Sequence, residues 1–326
     1  MISPKRKAKI SKFLRLTKLP YLPSILNIES GNICNLRCPL CPTGAGEPGL
    51  KKGFMQFQLF KMVFEQLKDK LRAINLYSWG EPLLNNNLIS IINYVKSSNP
   101  RIRITTSTNL NVKDKKLLED LLVSGIDEII VSCDGSTAQI YEKYRVGGDF
   151  TLVMENLKFM LGKKKQIKSN TRIIWNFLVF KHNEQELEMA RQLAKEMGVD
   201  FRAGLMRTSM KDEILKPHNE TIQRDLEWIP DNPLYSAYDK EKLLPKKIIK
   251  SCRKPWQEIT LNWNGEIFPC CAVYGDKYTF GNATGVLIKD IWNNENYIVC
   301  RKEILNKRIR AVTVCGICRD NGFMHM

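Results

Sequence analysis

Over the first two-thirds of the chain, short apolar and β-branched runs alternate with longer amphipathic ones, and this alternation restricts the fold more than any other feature. Strand-like segments are read at Ser24–Ile33, Ala73–Ser78, Ile102–Thr106, Glu128–Ser132, Arg172–Phe180 and Phe201–Leu205. Helix-like segments lie between them at Gln58–Lys70, Leu88–Ser97, Lys113–Ser124, Leu152–Leu161 and Glu184–Met197. Strands separated by helices form a parallel sheet with right-handed crossovers. The expectation is an α/β fold, a partial (β/α)6 TIM-like barrel over residues 24–206. Such barrels carry their chemistry at the C-terminal ends of the strands. Asn183 with Glu186 three residues on reads as a capping box at the start of the fifth helix, which gives His182 and Asn183 a structural role.

Around Met206–Ile249 the pattern breaks. Pro217, Pro230, Pro233 and Pro245 mark residues 207–250 as a linker or lid. Beyond it, Glu258–Leu261 and Glu266–Phe268 flank Asn264-Gly265, which favours a tight primed turn and a β-hairpin. Helices are expected near Leu287–Asn293 and Tyr297–Leu305, giving a small cysteine-rich domain over residues 251–326.

The composition of the 326 residues, 43% hydrophobic and 26% charged, is that of a folded globular protein. No run of 18 apolar residues is present, and residues 1–23 form a basic segment without the apolar core or cleavage site of a secretory signal. A cytoplasmic location is expected. The formal net charge of +17 reads first as a Lys-rich surface; an acidic substrate, a membrane surface or RNA are the sharper alternatives. The positive charge is spread along the chain rather than gathered in a stripe, so nucleic acid is not the expected partner. Ile10, Phe13 and Leu14 among Lys7, Lys9, Lys12 and Arg15 allow a short amphipathic helix with weak membrane-surface contact.

Ten cysteines in a chain without an export signal point to metal or redox chemistry rather than disulfides. Cys34, Cys38 and Cys41 have the spacing C-x3-C-x2-C on the loop after the first strand. Three thiolates can hold three irons of a [4Fe–4S] cluster and leave the fourth iron open to a small molecule. A structural zinc wants a fourth ligand, which this loop lacks. Cys252, Cys270, Cys315 and Cys318 form a second group, C-x12-G-x4-C followed by C-x2-C, able to ligate a whole cluster or a zinc ion. Cys271 is an alternative to its neighbour Cys270; Cys133 and Cys300 read as core residues. On the third strand Arg103, Thr105, Ser107 and Asn109 share one face, so a polar set lines the barrel near its mouth.

The C-x3-C-x2-C loop after the first strand resembles the signature of the radical S-adenosylmethionine (SAM) superfamily. Trp79-Gly80-Glu81-Pro82 is similar to that family's Gly-Gly-Glu-Pro motif, with Trp79 in place of the first glycine. Ser107-Thr108-Asn109 is similar to its Thr-Asn-Gly segment, with Leu110 in place of glycine. Ser132-Cys133-Asp134-Gly135 is similar to a Ser-x-Asp-Gly motif, and Arg145 matches an arginine that reaches SAM in some members. The second cysteine group, with Pro255-Trp256, Gly281-Asn282 and Ile291-Trp292-Asn293, resembles a SPASM or Twitch extension carrying one auxiliary [4Fe–4S] cluster.

The resemblance implies that Cys34, Cys38 and Cys41 hold the catalytic cluster and that Leu40, Gly80, Glu81, Thr108, Asn109, Ser132 and Arg145 contact SAM. It implies that Cys252, Cys270, Cys315 and Cys318 hold the auxiliary cluster. One electron from the first cluster would cleave SAM to a 5′-deoxyadenosyl radical, which abstracts hydrogen from substrate; the second cluster would assist redox. A small metabolite or sugar is the expected substrate, with a peptide or RNA as alternatives and a non-catalytic electron carrier as the reading from another class. A flavodoxin or ferredoxin would supply electrons. No general base stands out; Glu47, Asp149 and Lys211 are near the mouth without a distinguishing spacing.

Overall fold

The computed structural model describes residues 3–46, 51–208, 222–223, 225–246, 252–271, 278–310 and 313–320; Glu47 and Lys211 lie outside them, as does part of the 207–250 stretch. Six strands pair in sequence order and all in parallel: β1 (Ile25–Ile28), β2 (Ala73–Leu76), β3 (Arg103–Thr108), β4 (Glu128–Ser132), β5 (Arg172–Val179) and β6 (Asp200–Leu205). This is the partial barrel expected from the alternation. Its helices are α1 (Pro4–Phe13) and α2 (Pro42–Ala45) before and after β1, then α3 (Phe57–Leu67), α4 (Leu88–Ser98), α5 (Lys115–Val123), α6 (Ala138–Tyr144), α7 (Phe150–Gln166) and α8 (Leu187–Met197).

Each crossover helix has its own local cause. α3 buries Phe60, Val63, Phe64 and Leu67, and α4 buries Leu88, Ile91, Ile92 and Val95, stripes at helical spacing that lie on the sheet. Asp114, Thr137 and Asp149 cap α5, α6 and α7 through side-chain oxygens that accept the backbone N–H groups of Leu117, Ile140 and Leu152. Helix α6 was not apparent in the sequence, because it is only seven residues long.

The capping box expected at Asn183 and Glu186 does not form. The Asn183 amide donates to the carbonyls of Asp134 and Leu178 and accepts from Phe180 N–H, so it ties the loop after β5 to that after β4. Glu186 instead accepts from Ser136 N–H at 2.7 Å and from the Thr137 hydroxyl at 2.6 Å, bracing the N-terminus of α6. A burial partner brought in by the fold outcompetes the local cap.

The C-terminal part joins the barrel sheet rather than standing apart from it. β9 (Glu258–Leu261) lies parallel to β1, with Ile25 opposite Glu258 and Ile28 opposite Leu261. β10 (Glu266–Phe268) and β11 (Gly281–Asn282) extend the edge antiparallel, so nine strands share one sheet; β7 (Tyr238–Asp239) and β8 (Leu244–Pro245) make a separate small pair. The β9–β10 turn is not a primed two-residue turn. Asn262 N–H donates to Glu266 O and Gly265 alone turns left-handed, at φ 89°, which gives a three-residue loop. α9 (Ile288–Ile291), α10 (Glu295–Asn306) and α11 (Val314–Asp320) complete the chain.

The segment before β1 is clamped to this C-terminal part. Trp256 and Trp292 donate their indole N–H groups to the carbonyls of Leu16 and Tyr21, and Asn293 bonds Leu19 through both its amide atoms. Arg301, fully buried, donates to the carbonyls of Thr17, Pro255 and Trp292 at 2.8 Å each. Helix α1 buries Ala8 and Ser11 and leaves Ile10, Phe13 and Leu14 exposed. Among the described residues no helix is long and apolar enough to cross a membrane. Arg301→Leu strips donors from three carbonyls, those of Pro255 and Trp292 fully buried, and is expected to cost about 3 kcal/mol, read as a lower urea midpoint of the intact chain.

Candidate functional site

The loops after β1, β2, β3 and β4 meet at one cavity of about 220 Å3 at the C-terminal ends of the strands. Its lining includes Cys34, Cys38, Cys41, Leu40, Gly80, Glu81, Thr108, Asn109, Ser132 and Arg145, so every residue expected at the first site is at one place. The order of strands in the sheet achieves this: motifs spread over more than a hundred residues each end a neighbouring parallel strand.

The loops are pinned to one another by backbone and buried side chains. Glu81 N–H donates to Ile33 O at 2.9 Å. The Glu81 carboxylate, itself buried, accepts Leu83 N–H at 3.0 Å and Asn109 N–H at 2.7 Å. Burial pushes this carboxyl up from its ordinary range while the N–H of Asn109 and that of Leu83 pull the other way. Glu81 therefore caps the turn after it and also holds the β3 loop. Gly80 has no room for a side chain: a Cβ there would lie 2.2 Å from Gly31 O and 2.8 Å from Ile33 O. Leu110, in the position similar to a family glycine, keeps the left-handed backbone, at φ 58°, and is fully buried with its carbonyl bound by Asn156. The burial of the leucine offsets a backbone strain of about 1–2 kcal/mol.

Polar donors surround the thiols. The Asn109 amide donates to Cys34 Sγ at 3.6 Å and to Asn35 Oδ1 at 2.9 Å. Arg145 pairs with fully buried Asp134, Nε at 2.7 Å and Nη2 at 2.6 Å from Oδ2, while its Nη1 stands 4.0 Å from Cys38 Sγ. Asp134 Oδ1 accepts Leu178 N–H, which leaves that carboxylate no freedom to turn. Burial works against the Arg145 charge, but Asp134 and Cys38 outweigh it and hold the guanidinium firmly protonated. Burial also pushes the Cys34 thiol up to about 11 and raises Cys38. The donor set fits a [4Fe–4S] cluster with one open iron: three thiols on one loop, amide N–H groups on the Cys34 sulfur and the partly buried Arg145 guanidinium beside that of Cys38.

The second group also assembles. Cys270 and Cys318 pack together with Val314 and Ile317, and Cys252 and Cys315 lie close enough for their charges to act on Cys318. Cys271, its alternative, lies near Tyr77 and Lys254, and Lys254 lies near Cys270 and Cys252 as well. Cys133 is in the core, as expected. Cys300 is buried too, with its sulfur 3.4 Å from Cys315 Sγ, a contact the sequence did not suggest. Among the described residues no three His, Cys, Asp or Glu side chains close around a single ion.

Several cavity residues had no sequence signal. Leu36, Tyr77, Tyr144, Leu178, Phe180, Arg207 and Thr208 line it from positions that strand register and folding decide. Asp134 lay inside a quoted motif, and its pairing with Arg145 became apparent only in three dimensions.

A parallel barrel with a three-thiol loop at its mouth and a second thiol group in the same chain is the arrangement of an iron–sulfur enzyme. The chain matches the family model of the radical SAM superfamily over residues 28–194 and that of the SPASM iron–sulfur cluster-binding domain over residues 252–319, and it belongs to the radical SAM superfamily. SAM and [4Fe–4S] clusters are the cofactors these domains imply. The S-adenosyl-L-methionine-dependent 2-deoxy-scyllo-inosamine dehydrogenase of Niallia circulans is 32% identical over 300 residues, 91% of this chain and 93% of that one. The AdoMet-dependent heme synthase of Methanosarcina barkeri is 25% identical over 177 residues, and the match spans 54% of this chain but only 48% of that protein. The solved structure of BtrN in complex with AdoMet and 2-DOIA superposes with a TM-score of 0.52 at 21% identity, covering 89% of both chains.

Two outcomes follow from this geometry. Gly80→Ala, whose methyl would meet Gly31 O, is expected to weaken SAM binding by about tenfold or more, a cost of the usual overpacking size, measured by equilibrium dialysis of the reconstituted protein. Iron uptake by the apo loop releases protons from thiols whose pKa burial has raised, to about 11 at Cys34. Iron affinity should therefore rise steadily from pH 6 to pH 9 in a chelator-competition titration, since the Cys34 thiol stays largely protonated across that range.

Proposed function

We propose that this enzyme reductively cleaves SAM beside Cys34, Cys38 and Cys41 and abstracts hydrogen from a small polyhydroxylated substrate, with an auxiliary [4Fe–4S] cluster at Cys252, Cys270, Cys315 and Cys318 assisting the redox step. When bound, the first cluster supplies the electron that splits SAM into methionine and a 5′-deoxyadenosyl radical.

The observation that carries the reading is the convergence of three thiols, the Gly80–Glu81 loop, Thr108, Asn109, Ser132 and Arg145 on one cavity. In it, Gly80 lets the backbone approach closely, Glu81 and Asn109 hold the loops in register, and Arg145 offers a fixed positive charge for the SAM carboxylate. Leu40 gives the adenine an apolar neighbour. Ser107 and Ser132, whose hydroxyls lie 3.3 Å apart, and Tyr77 give hydroxyl groups of SAM ribose or substrate donors and acceptors. Leu36, Leu178 and Phe180 keep the reacting centre dry.

Asn75, two residues before the cavity residue Tyr77, donates to Asn27 at 2.7 Å, and Asn27 to Glu258 and Thr260 at 3.3 Å, a polar ladder across three strands. The relative alike over 91% of this chain is named for a dehydrogenation of an aminocyclitol. A flavodoxin or ferredoxin would serve as reductant, and the exposed Ile10 and Phe13 of α1, with Leu14 just after it, offer a weak membrane-surface contact.

Anaerobic purification with iron and sulfide counts, followed by dithionite and SAM, tests the reading. About eight irons per chain are expected, falling to about four in Cys34→Ala/Cys38→Ala/Cys41→Ala. 5′-Deoxyadenosine should form in the wild type and not in that variant. Zinc in place of iron, or uncleaved SAM, would sink it.

A further inference from the structure

Trp79 is where the two sites touch. It lines the cavity together with its neighbours Gly80 and Glu81. It also packs against the group formed by Cys270, Val314, Ile317 and Cys318, beside Tyr278 and Phe280. Arg207, another cavity residue, has its guanidinium carbon 6.0 Å from the indole centre. One side chain thus borders the cavity next to Cys34 and the thiols of the auxiliary site.

The segment that follows cannot absorb a movement of this indole. Gly80 is wedged against Gly31 and Ile33 with no space for even a methyl group. Glu81 is bonded to Ile33 through its backbone and to Asn109 and Leu83 through its carboxylate. A shift at Trp79 is passed to the backbone that borders the SAM cavity, because tightly packed elements move as units.

The geometry points to Trp79 as a positioning residue that couples the auxiliary site to SAM binding. With the auxiliary cysteines engaged, Val314, Ile317 and the thiols form a settled wall; the indole rests on it and holds Gly80 and Glu81 where SAM docks. Without that wall the loop loses its backing and SAM binds more weakly. This rests on the proposed function only in assigning SAM to the cavity.

A thermodynamic cycle on anaerobically reconstituted protein measures the coupling. SAM dissociation constants are compared for the wild type, Cys315→Ala/Cys318→Ala, Trp79→Ala and the combination, each retaining the iron of the first cluster. Loss of the auxiliary cysteines should weaken SAM binding by about tenfold, within the usual range for coupled sites. In the Trp79→Ala background the same cysteine changes should add little, and Trp79→Phe should restore their effect. Additive losses, or a SAM affinity indifferent to the auxiliary cysteines, would overturn the proposal.

A second measurement needs neither SAM nor turnover. The emission of Trp79, taken as wild type minus Trp79→Phe, should be quenched when the auxiliary cluster is reconstituted in the Cys34→Ala/Cys38→Ala/Cys41→Ala background. Unchanged emission removes the contact on which the coupling depends, and decides the matter if the Cys315→Ala/Cys318→Ala chain loses its first cluster. A wild type that never binds SAM sinks the proposed function, whereas bound SAM with unquenched Trp79 emission sinks the coupling alone.

Discussion

The parallel pairing of β9 with β1 is the constraint on which the rest of the molecule depends. β1 leads into the Cys34 loop and β9 follows Cys252, so one strand contact ties the segments that carry both thiol groups to the same sheet. The pairing is reinforced laterally by Asn27, which bonds Glu258 and Thr260 on one side and Asn75 on the other. It is closed from behind by Arg301, Trp256 and Trp292, whose N–H groups take carbonyls of the segment leading into β1. A buried guanidinium satisfied only by carbonyls and an amide oxygen is costly to disturb, since each acceptor it serves is otherwise stranded. The basic N-terminal segment thereby helps support the second thiol group, through Lys12, which donates to Cys252 O at 3.0 Å, as well as being a surface feature.

At the first site, charge and packing act in opposite senses. Burial raises the pKa values of Cys34 and Cys38, which opposes thiolate formation, while Arg145 and Asn109 bring positive charge and N–H groups to these two sulfurs. Arg145 can do this because Asp134 anchors it from the core, and Asp134 in turn is fixed by Leu178 N–H. The chain of contacts runs from β5 through the β4 loop to the cysteine loop. Residues far apart in sequence therefore set the electrostatics of three neighbouring thiols, and hydrogen bonds to cluster sulfurs tune a cluster's potential.

Much of this was legible in the sequence. β4 and the β9–β10 hairpin strands fall at the residues expected, and α3, α4, α5, α7 and α8 within a few residues of them, because apolar period and breakers are local signals. Gly80, Glu81, Thr108, Asn109 and Ser132 lie at or just after strand ends, and parallel strands in sequence order put their ends side by side, whereas Arg145 follows α6. Where local reasoning erred, a tertiary partner intervened. Asn183 and Glu186 match a capping box, yet the loops after β4 and β5 claim both side chains. Asn264-Gly265 matches a primed turn, yet the hairpin closes around a three-residue loop in which Gly265 alone is left-handed.

The sequence by itself determined the barrel, the spacing of three thiols on one loop and the existence of a second thiol group, because hydrophobic period and ligand spacing are properties of contiguous residues. Only the tertiary structure decided that the second group joins the barrel sheet through β9. It also decided that Asp134 holds Arg145, that Cys300 lies against Cys315, and that Trp79 borders both sites. These are contacts between segments remote in the chain, set by strand order and by which buried polar groups can find partners, and no local pattern encodes them.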